Sequence, residues 1–138
     1  LNVGYRYCRE AYDGIALRAL LKSDGKSSHR AIRNAIENLA KRRRISQPAE
    51  ASAGCIFRNP EDISAGLLIE QAGLKGKREG GAIISNKHAN FILNQGGATA
   101  GEVISLIQRV RDRVRESNGL ILEPEVTLMG KSWNEYLS

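Results

Sequence analysis

The feature that most constrains the fold is an amphipathic helix that the sequence predicts over residues 99–119. Thr99 and Glu102 have the spacing of a capping box, and Gly119 is typical of the residue that follows a helix. Apolar residues recur three and four positions apart between these ends: Val103, Leu106, Ile107, Val110 and Val114. Because one apolar stripe is stable only when another element covers it, the chain must provide a sheet or further helices for packing.

Two more helices are predicted upstream. The first begins at Ser27 or Ser28 as its N-cap and ends in the basic run 41–44. Its apolar residues share one face: Ala31, Ile32, Ala35, Ile36, Leu39 and Ala40. The second helix is shorter, begins near Ser64 and stops at Gly73. It places three residues inward: Leu67, Leu68 and Ala72.

Short apolar runs bounded by turn residues predict strands at residues 15–22, 82–84, 90–93 and 120–128. The last of these runs contains Pro124, which can occupy only an edge strand or a bulge. A segment of small residues leads into one more short strand near Cys55. The order β-α-β-α-β-β-α-β predicts an α+β domain of two layers, with a short mixed or antiparallel sheet and helices packed on one face.

Composition places the chain among ordinary soluble domains. It has 138 residues, of which 41% are hydrophobic and 26% charged, and no apolar run approaches the length of about 18 residues that a spanning helix needs. Two cysteines, Cys8 and Cys55, are too few for a disulfide scaffold, and no export signal is visible, so we expect a reducing, cytoplasmic setting. Because the chain opens at Leu1 and its only methionine is Met129, we expect a piece of a longer protein.

The excess of positive charge lies in the first part of the chain. Residues 1–54 contain 11 Lys+Arg and 5 Asp+Glu, whereas residues 55–138 contain 10 of each. The densest point is the run 41–44, Lys-Arg-Arg-Arg. Three interpretations stay open for this run: a solvated helix end, a nucleic-acid-binding patch, or a site for a phosphorylated small molecule.

Four side chains are candidates for chemistry, each with a less specific alternative. Cys55 could present its thiol at a pocket wall, although a buried cysteine more often acts as a small hydrophobe. With His88 it could also form the nucleophile and base of a hydrolase. Glu125 is either an inward carboxylate or an exposed acid on an edge strand. Arg6 lies between two tyrosines that could hold its guanidinium against an anion, although a surface arginine stacked on tyrosine is commoner.

Two glycine-containing loops have weaker signals. Residues 73–76, Gly-Leu-Lys-Gly, copy the backbone-clamping loop of a KH domain, but a strand rather than a second helix is predicted after them. Residues 95–97, Gln-Gly-Gly, precede the last helix and could hold a phosphate on their amides. They lack the spacing and the lysine of a P-loop.

Several long motifs in the same order resemble one enzyme family. The motifs are residues 66–76, 80–82, 85–91, 96–99 and 122–126, and residues 4–6, 43–48 and 53–60 also fit. They resemble the C-terminal part of the UDP-N-acetylenolpyruvoylglucosamine reductases, also called UDP-N-acetylmuramate dehydrogenases. The short link between residues 22 and 30 resembles the loopless subclass. The resemblance implies a handover segment from a flavin domain at 1–14, a substrate-binding domain at 15–130 and a tail at 131–138.

The resemblance implies a reductase of peptidoglycan precursor synthesis. In this family NADPH reduces FAD, and hydride then passes to the enolpyruvyl group of UDP-N-acetylglucosamine enolpyruvate to give UDP-N-acetylmuramate. FAD is bound mainly by an N-terminal domain that is absent from this chain. We therefore expect the chain to need that domain as a partner and to be inactive alone, and we expect neither a metal nor a membrane partner.

The resemblance also implies roles for individual residues. Arg6 matches the arginine that stabilises the negative charge spreading onto the substrate carboxylate, and Glu125 matches the acid that acts with it. Cys55 occupies the position of the proton donor, which is serine in most relatives; a thiol can fill that role because it is the stronger acid. Five further residues match substrate-binding positions: Asn59, Lys75, His88, Arg43 and Arg44.

Overall fold

The structure, a computed structural model, describes residues 3–4, 7–8, 17–20, 22 and 25–137. The chain divides into two units, Leu1–Ile36 and Glu37–Ser138. In the first unit, strand β1 (Val3–Gly4) pairs antiparallel with strand β2 (Tyr7–Cys8).

The prediction of a strand over residues 15–22 is wrong for the described part of that run. Residues 17–20 and 22 form no strand, and the side chains of Leu17 and Leu20 are 92% and 97% exposed. An apolar run is held as a strand only when sheet neighbours bond its backbone and cover its side chains. The remaining residues of the run lie outside the described residues.

Helix α1 (His29–Ser46) forms where the sequence predicts it and belongs to both units. The hydroxyl of Ser28 accepts a hydrogen bond from the Ala31 amide at 3.2 Å, which identifies Ser28 as the N-cap. Arg43 and Arg44 lie in the last turn, where cations complement the negative end of the helix dipole. The predicted apolar face is present but no residue of α1 is buried. Periodicity predicts which residues share a face, and it does not predict what covers that face.

The second unit contains a four-stranded antiparallel sheet. Its strands are β3 (Ser52–Cys55), β4 (Arg78–Glu79), β5 (Ala82–Ile84) and β6 (Phe91–Asn94). The spatial order is β3-β6-β5-β4, so β6 is a central strand although it comes last along the chain. Ile84 is opposite Ile92, and Cys55 is opposite Phe91.

Helix α2 (Ala65–Gln71) begins after its predicted cap, because the Ser64 hydroxyl accepts a hydrogen bond from the Leu67 amide at 3.2 Å. Leu68 is buried as predicted. The prediction that Leu67 points inward is wrong, since Leu67 is 44% exposed and Ile69 is buried instead. With the helix starting at Ala65, the inward stripe follows a three-four spacing that passes through Ile69 and omits Leu67.

Helix α3 (Ala100–Asn118) has the capping box between Thr99 and Glu102 and ends at Gly119, which has a φ of 68°. It packs against β4, β5 and α2. Its buried residues are Leu106, Ile107, Val110 and Val114, and Val103 is partly buried against the same core. The predicted α+β class and the inward face of this helix are therefore confirmed.

The predicted strand at 120–128 does not form. This segment crosses the residues after β3 with a single bridge between Phe57 and Pro124. The Arg58 amide donates to the Glu123 carbonyl at 2.9 Å, and the Glu125 amide donates to the Ile56 carbonyl at 2.7 Å. Pro124 has no N–H to donate between these two bonds, so no regular ladder is built.

Residues 131–137 return to the second unit, where Trp133 contacts the core. A 3-10 turn (Trp133–Glu135) follows the N-cap Ser132, and Trp133 is partly buried against the core cluster. The domain boundaries at residues 15 and 130 stay predictions.

One carboxylate joins the start of α3 to the turn between β4 and β5. Glu102 Oε2 accepts hydrogen bonds from the Thr99 amide at 2.9 Å and the Gly81 amide at 3.2 Å. A Cβ atom built on Gly80, where φ is 51°, would lie 1.9 Å from Glu102 Oε1. The amides of Thr99 and then Gly81 hold the pKa of Glu102 below its usual range, because both hydrogen bonds favour the charged form.

We expect Glu102→Gln to destabilise the chain at neutral pH and to have little effect in acid. The folded-state pKa is lowered, so the stabilisation is complete above the unfolded-state pKa of about 4.3 and is lost as the pH falls through the lower folded value. Urea unfolding at neutral pH and at about pH 3 measures the difference in free energy of unfolding. Glu61→Gln, at an exposed glutamate, is the control. An equal loss at both pH values would contradict the charge-based explanation.

Candidate active site

Two of the three predicted catalytic residues lie on neighbouring backbone segments. Cys55 is the last residue of β3, and the carbonyl of the next residue, Ile56, accepts the hydrogen bond from the Glu125 amide at 2.7 Å. Both side chains are half-buried, and Oε2 of Glu125 is shielded from solvent. The third residue, Arg6, lies outside the described residues. The structure thus brings the backbones of Cys55 and Glu125 together at one end of the sheet.

A buried amide holds the segment that follows Cys55. Asn90 is 2% exposed, and its Oδ1 accepts from the Phe57 amide at 2.9 Å while its Nδ2 donates to the Phe57 carbonyl at 2.8 Å. The Asn90 carbonyl also accepts from the Ile56 amide at 2.9 Å. Leaving such buried groups unpaired costs about 1–3 kcal/mol each, so this asparagine fixes the backbone between Cys55 and its neighbours. No periodic pattern in the sequence predicts this role for Asn90.

The loop of residues 85–90, called the site loop here, connects β5 to β6 and carries His88. The Ser85 hydroxyl accepts hydrogen bonds from the Lys87 amide at 3.1 Å and the His88 amide at 3.3 Å, which makes the loop compact. The His88 ring packs against the start of α2, because a Cβ built on Gly66 would lie 3.1 Å from Cε1. The ring also meets Phe91 edge-on at 4.9 Å between centroids.

The hydrogen bonding of His88 restricts its chemistry. Its Nδ1 accepts a hydrogen bond from the Asn90 amide at 3.2 Å, so the neutral ring carries its proton on Nε2. In that tautomer Nε2 is a donor and cannot accept a proton from a thiol. The arrangement favours His88 as a hydrogen-bond donor to a ligand oxygen and disfavours the Cys55–His88 hydrolase pair.

Asn59 and Lys75 lie on either side of α2. Asn59 Oδ1 accepts from the Ala65 amide at 3.0 Å at the start of this helix, which leaves the NH2 group of the side chain for a ligand. Lys75 Nζ forms an ion pair with Glu70 Oε1 at 2.7 Å. Gly76, the residue after Lys75, lies against the site loop: a Cβ atom added to it would be 2.9 Å from Oδ1 of Asn86.

The basic end of α1 is attached to the site loop. Lys87 Nζ donates a hydrogen bond to the Arg44 carbonyl, and the exposed side chains of Arg43 and Arg44 belong to the same helical turn. The cation of Lys87, the residue before His88, therefore lies near the basic turn that contains Arg43 and Arg44. Sequence spacing gave no sign of this contact, because it joins a helix end to a loop 43 residues away.

Neither glycine-containing loop has the structure of the nucleic-acid or phosphate site that its sequence resembles. Asn94 Oδ1 accepts from the amides of Gly96 and Ala98 at 2.9 and 3.2 Å, and Glu102 occupies the Thr99 amide. The predicted phosphate cradle at 95–97 is thus filled by acceptors of the protein itself. The loop at 73–76 is followed by strands and not by the second helix of a KH domain, as expected from the sequence, although the first of these strands, β4, was not predicted.

A mainly apolar cavity of about 310 Å³ lies elsewhere, between β3, β6 and the start of α3. Its lining includes Ser52, Ile92 and Val103, and none of the predicted site residues that the structure describes. Within the described part of the chain, no group of three or more potential ligand side chains could hold a metal ion. None of the helices there is long and apolar enough to cross a membrane.

Comparison with known proteins decides the family. A family model described as UDP-N-acetylenolpyruvoylglucosamine reductase, C-terminal domain, matches residues 47–129. The chain belongs to this family. The matched residues include Cys55, Asn59, Lys75, His88 and Glu125, whereas Arg6, Arg43 and Arg44 precede them. The resemblance drawn from the sequence is confirmed, and the roles of the individual residues stay predictions.

Individual members of the reductase family agree. A UDP-N-acetylenolpyruvoylglucosamine reductase from Clostridium botulinum (strain 657 / Type Ba4) is 43% identical over 136 residues, covering 97% of this chain and 44% of that protein. The enzyme of this name from Parasynechococcus marenigrum (strain WH8102) is 50% identical over 93 residues, 67% of this chain and 31% of that protein. The chain therefore spans less than half the length of these relatives.

A solved structure of the same family shares the fold. The crystal structure of UDP-N-acetylenolpyruvylglucosamine reductase (MurB) from Thermus caldophilus superposes with a TM-score of 0.64 at 40% sequence identity. The superposition covers 75% of this chain and 36% of that one.

Proposed function

We propose that this chain is the substrate-binding part of an enzyme that reduces UDP-N-acetylglucosamine enolpyruvate to UDP-N-acetylmuramate with NADPH and FAD, in cytoplasmic peptidoglycan precursor synthesis. Membership of the reductase C-terminal domain family carries this proposal. The approach of Cys55 and Glu125 through the Ile56–Glu125 hydrogen bond supports it.

FAD binding is assigned in this proposal to a domain outside the chain, on the same or a separate polypeptide. The glycine turn at 96–97, which could have taken a diphosphate, already bonds Asn94. The negative charge of Glu102 beside it would also repel phosphate. We call the chain together with its FAD-binding domain the assembled enzyme.

The reaction adds a hydride to the far end of the enolpyruvyl double bond and a proton to the carbon next to the carboxylate. A bound flavin that NADPH has reduced would supply the hydride. Cys55 supplies the proton from Sγ, because a thiol is mostly protonated at neutral pH and is a stronger acid than an alcohol. Arg6 balances the negative charge that grows on the substrate carboxylate, and Glu125 acts at the same end of the substrate.

The UDP part of the substrate would lie along the site loop. His88 presents a donor at Nε2, and the turn with Arg43 and Arg44 is bonded to the same loop through Lys87. Guanidinium groups bind phosphates with two parallel hydrogen bonds, which favours the small-molecule phosphate interpretation of the basic run. Asn59 and Lys75 contribute an amide donor and a cation from the two ends of α2.

The assembled enzyme should oxidise one NADPH per enolpyruvate consumed, whereas the chain mixed with free FAD should oxidise none. In D2O the product should carry deuterium at the carbon next to its carboxylate, because the proton comes from an exchangeable side chain. NADPH absorbance measures the first result and mass spectrometry the second. UDP-N-acetylglucosamine, which lacks the double bond, is the control and should cause no NADPH oxidation. Steady NADPH oxidation by the chain alone, or none by the assembled enzyme, would overturn the proposal.

A further inference from the structure

We infer that Trp133 is a positioning residue for Glu125: its indole N–H fixes the backbone that carries the glutamate. This inference rests on the proposed function. Trp133 Nε1 donates a hydrogen bond to the Val126 carbonyl at 2.7 Å. The amide of Glu125 itself donates to the Ile56 carbonyl at 2.7 Å. The backbone is therefore held on both sides of the glutamate side chain.

The indole can act as a support because it is itself held in place. Trp133 begins the 3-10 turn, and its carbonyl accepts from the Leu137 amide at 2.8 Å. Gln108, on α3, donates from Nε2 to the Tyr136 carbonyl at 2.7 Å, which attaches the turn to a core helix. The indole ring packs against the core cluster together with Val126. The support thus runs from α3 through the turn to Val126.

The two sides of Glu125 differ in how the chain continues. Upstream, Leu122 is buried, and Glu123 and Pro124 contact the segment after β3. Downstream, the chain passes exposed positions, with Met129 97% exposed, before the tail returns to the core. The bond from Trp133 therefore restrains the side of the glutamate where the chain leaves the core.

Positional restraint matters for this carboxyl group. Its Oε2 is shielded from solvent, so the side chain occupies a defined place and not a range of solvated positions. A displacement of about 1 Å in a reacting or positioning group can cost about 100-fold in rate. Losing the indole N–H should therefore slow the step in which Glu125 acts.

The test is Trp133→Phe in the assembled enzyme, since phenylalanine retains the aromatic packing and removes the N–H. We expect the rate constant of flavin reoxidation by substrate to fall about 10- to 100-fold, because Glu125 loses its downstream restraint. The substrate KM and the rate of flavin reduction by NADPH should stay within about twofold of the unaltered enzyme. Stopped-flow absorbance measures the two half-reactions separately.

A double variant separates positioning from general destabilisation. If Trp133 acts through Glu125, adding Trp133→Phe to Glu125→Gln should cause almost no further loss. Val110→Ala, a destabilising change in the buried face of α3, is the matched control and should leave the reoxidation rate unchanged where the protein is folded. Gln108→Leu removes the hydrogen bond that attaches the 3-10 turn to α3 and should cause a smaller loss in the rate of flavin reoxidation. It replaces Trp133→Phe as the test if that variant does not fold.

The outcomes distinguish this inference from the proposed function. If Glu125→Gln slows reoxidation but Trp133→Phe does not, or if the two losses multiply, the positioning role is wrong and the proposed function stands. If the assembled enzyme does not reduce the substrate, or if Glu125→Gln has no effect, the proposed role of Glu125 fails, and this inference fails with it.

Discussion

Replacing Cys55 by alanine in the assembled enzyme should slow flavin reoxidation by substrate by about 100- to 10,000-fold, the range expected when a general acid is lost. Flavin reduction by NADPH should change by less than about twofold, because that half-reaction needs no proton at the enolpyruvyl carbon. Anaerobic stopped-flow measurement of each half-reaction gives both numbers.

Cys55→Ser is the informative companion, because a hydroxyl can still donate a proton from nearly the same position. It should recover most of the rate lost in Cys55→Ala. The pH profiles should also differ: the unaltered enzyme should lose reoxidation activity in alkali as the thiol ionises, since a thiolate has no proton to give. The serine variant should lack that alkaline loss. Equal losses in both half-reactions, or identical alkaline limbs, would exclude Cys55 as the donor.

Replacing Glu125 by glutamine should cost about 100- to 1,000-fold in the same reoxidation step, comparable to the loss of one group that stabilises a developing oxyanion. Glutamine retains the size of the side chain, and the backbone bond from residue 125 to the Ile56 carbonyl does not depend on the side chain. The folded structure should therefore persist, and the loss should appear in the rate constant and not in the urea midpoint.

Glu123→Gln provides the matched control for this variant. Glu123 lies two residues away on the same segment. Its side chain is 76% exposed, and among the described residues it forms a long ion pair with Arg58 at 4.0 Å. Exposed pairs of this kind contribute little, so Glu123→Gln should retain full reoxidation activity. A loss of similar size in both variants would indicate a general effect of negative charge near the site and would remove Glu125 from the catalytic set.

The three helices and the strands β5 and β6 could be predicted from short stretches of sequence. The capping box and glycine stop of α3, the serine caps of α1 and α2, and the runs that became β5 and β6 all depend on residues a few positions apart. Leu67 was predicted to be buried and Ile69 is buried in its place. A helix of two turns has too few apolar residues to define which side faces inward. Pro124 marked the irregular segment, and its missing N–H outweighed the apolar alternation around it.

The site depends on contacts that sequence spacing does not encode. Asn90 pairs with Phe57 across the sheet, and Lys87 reaches the end of α1. Neither contact has a periodic signal, because each joins two irregular segments. Local sequence context makes Cys55 and Glu125 candidates and the family resemblance assigns their roles, whereas the contacts of Asn90 and Lys87 exist only in the folded loop. The one local signal for Asn90 is its place directly before the apolar strand β6, where a polar side chain is readily buried.

The position of Trp133 also provides an optical reporter. It is the only tryptophan of the chain, so emission excited at the indole band comes from a single place, next to the Glu125 segment. Undocking of the 3-10 turn would transfer that ring to water and shift its emission to longer wavelength. Loosening of the turn can therefore be followed in the chain without attaching a dye, separately from the circular-dichroism signal of the helices.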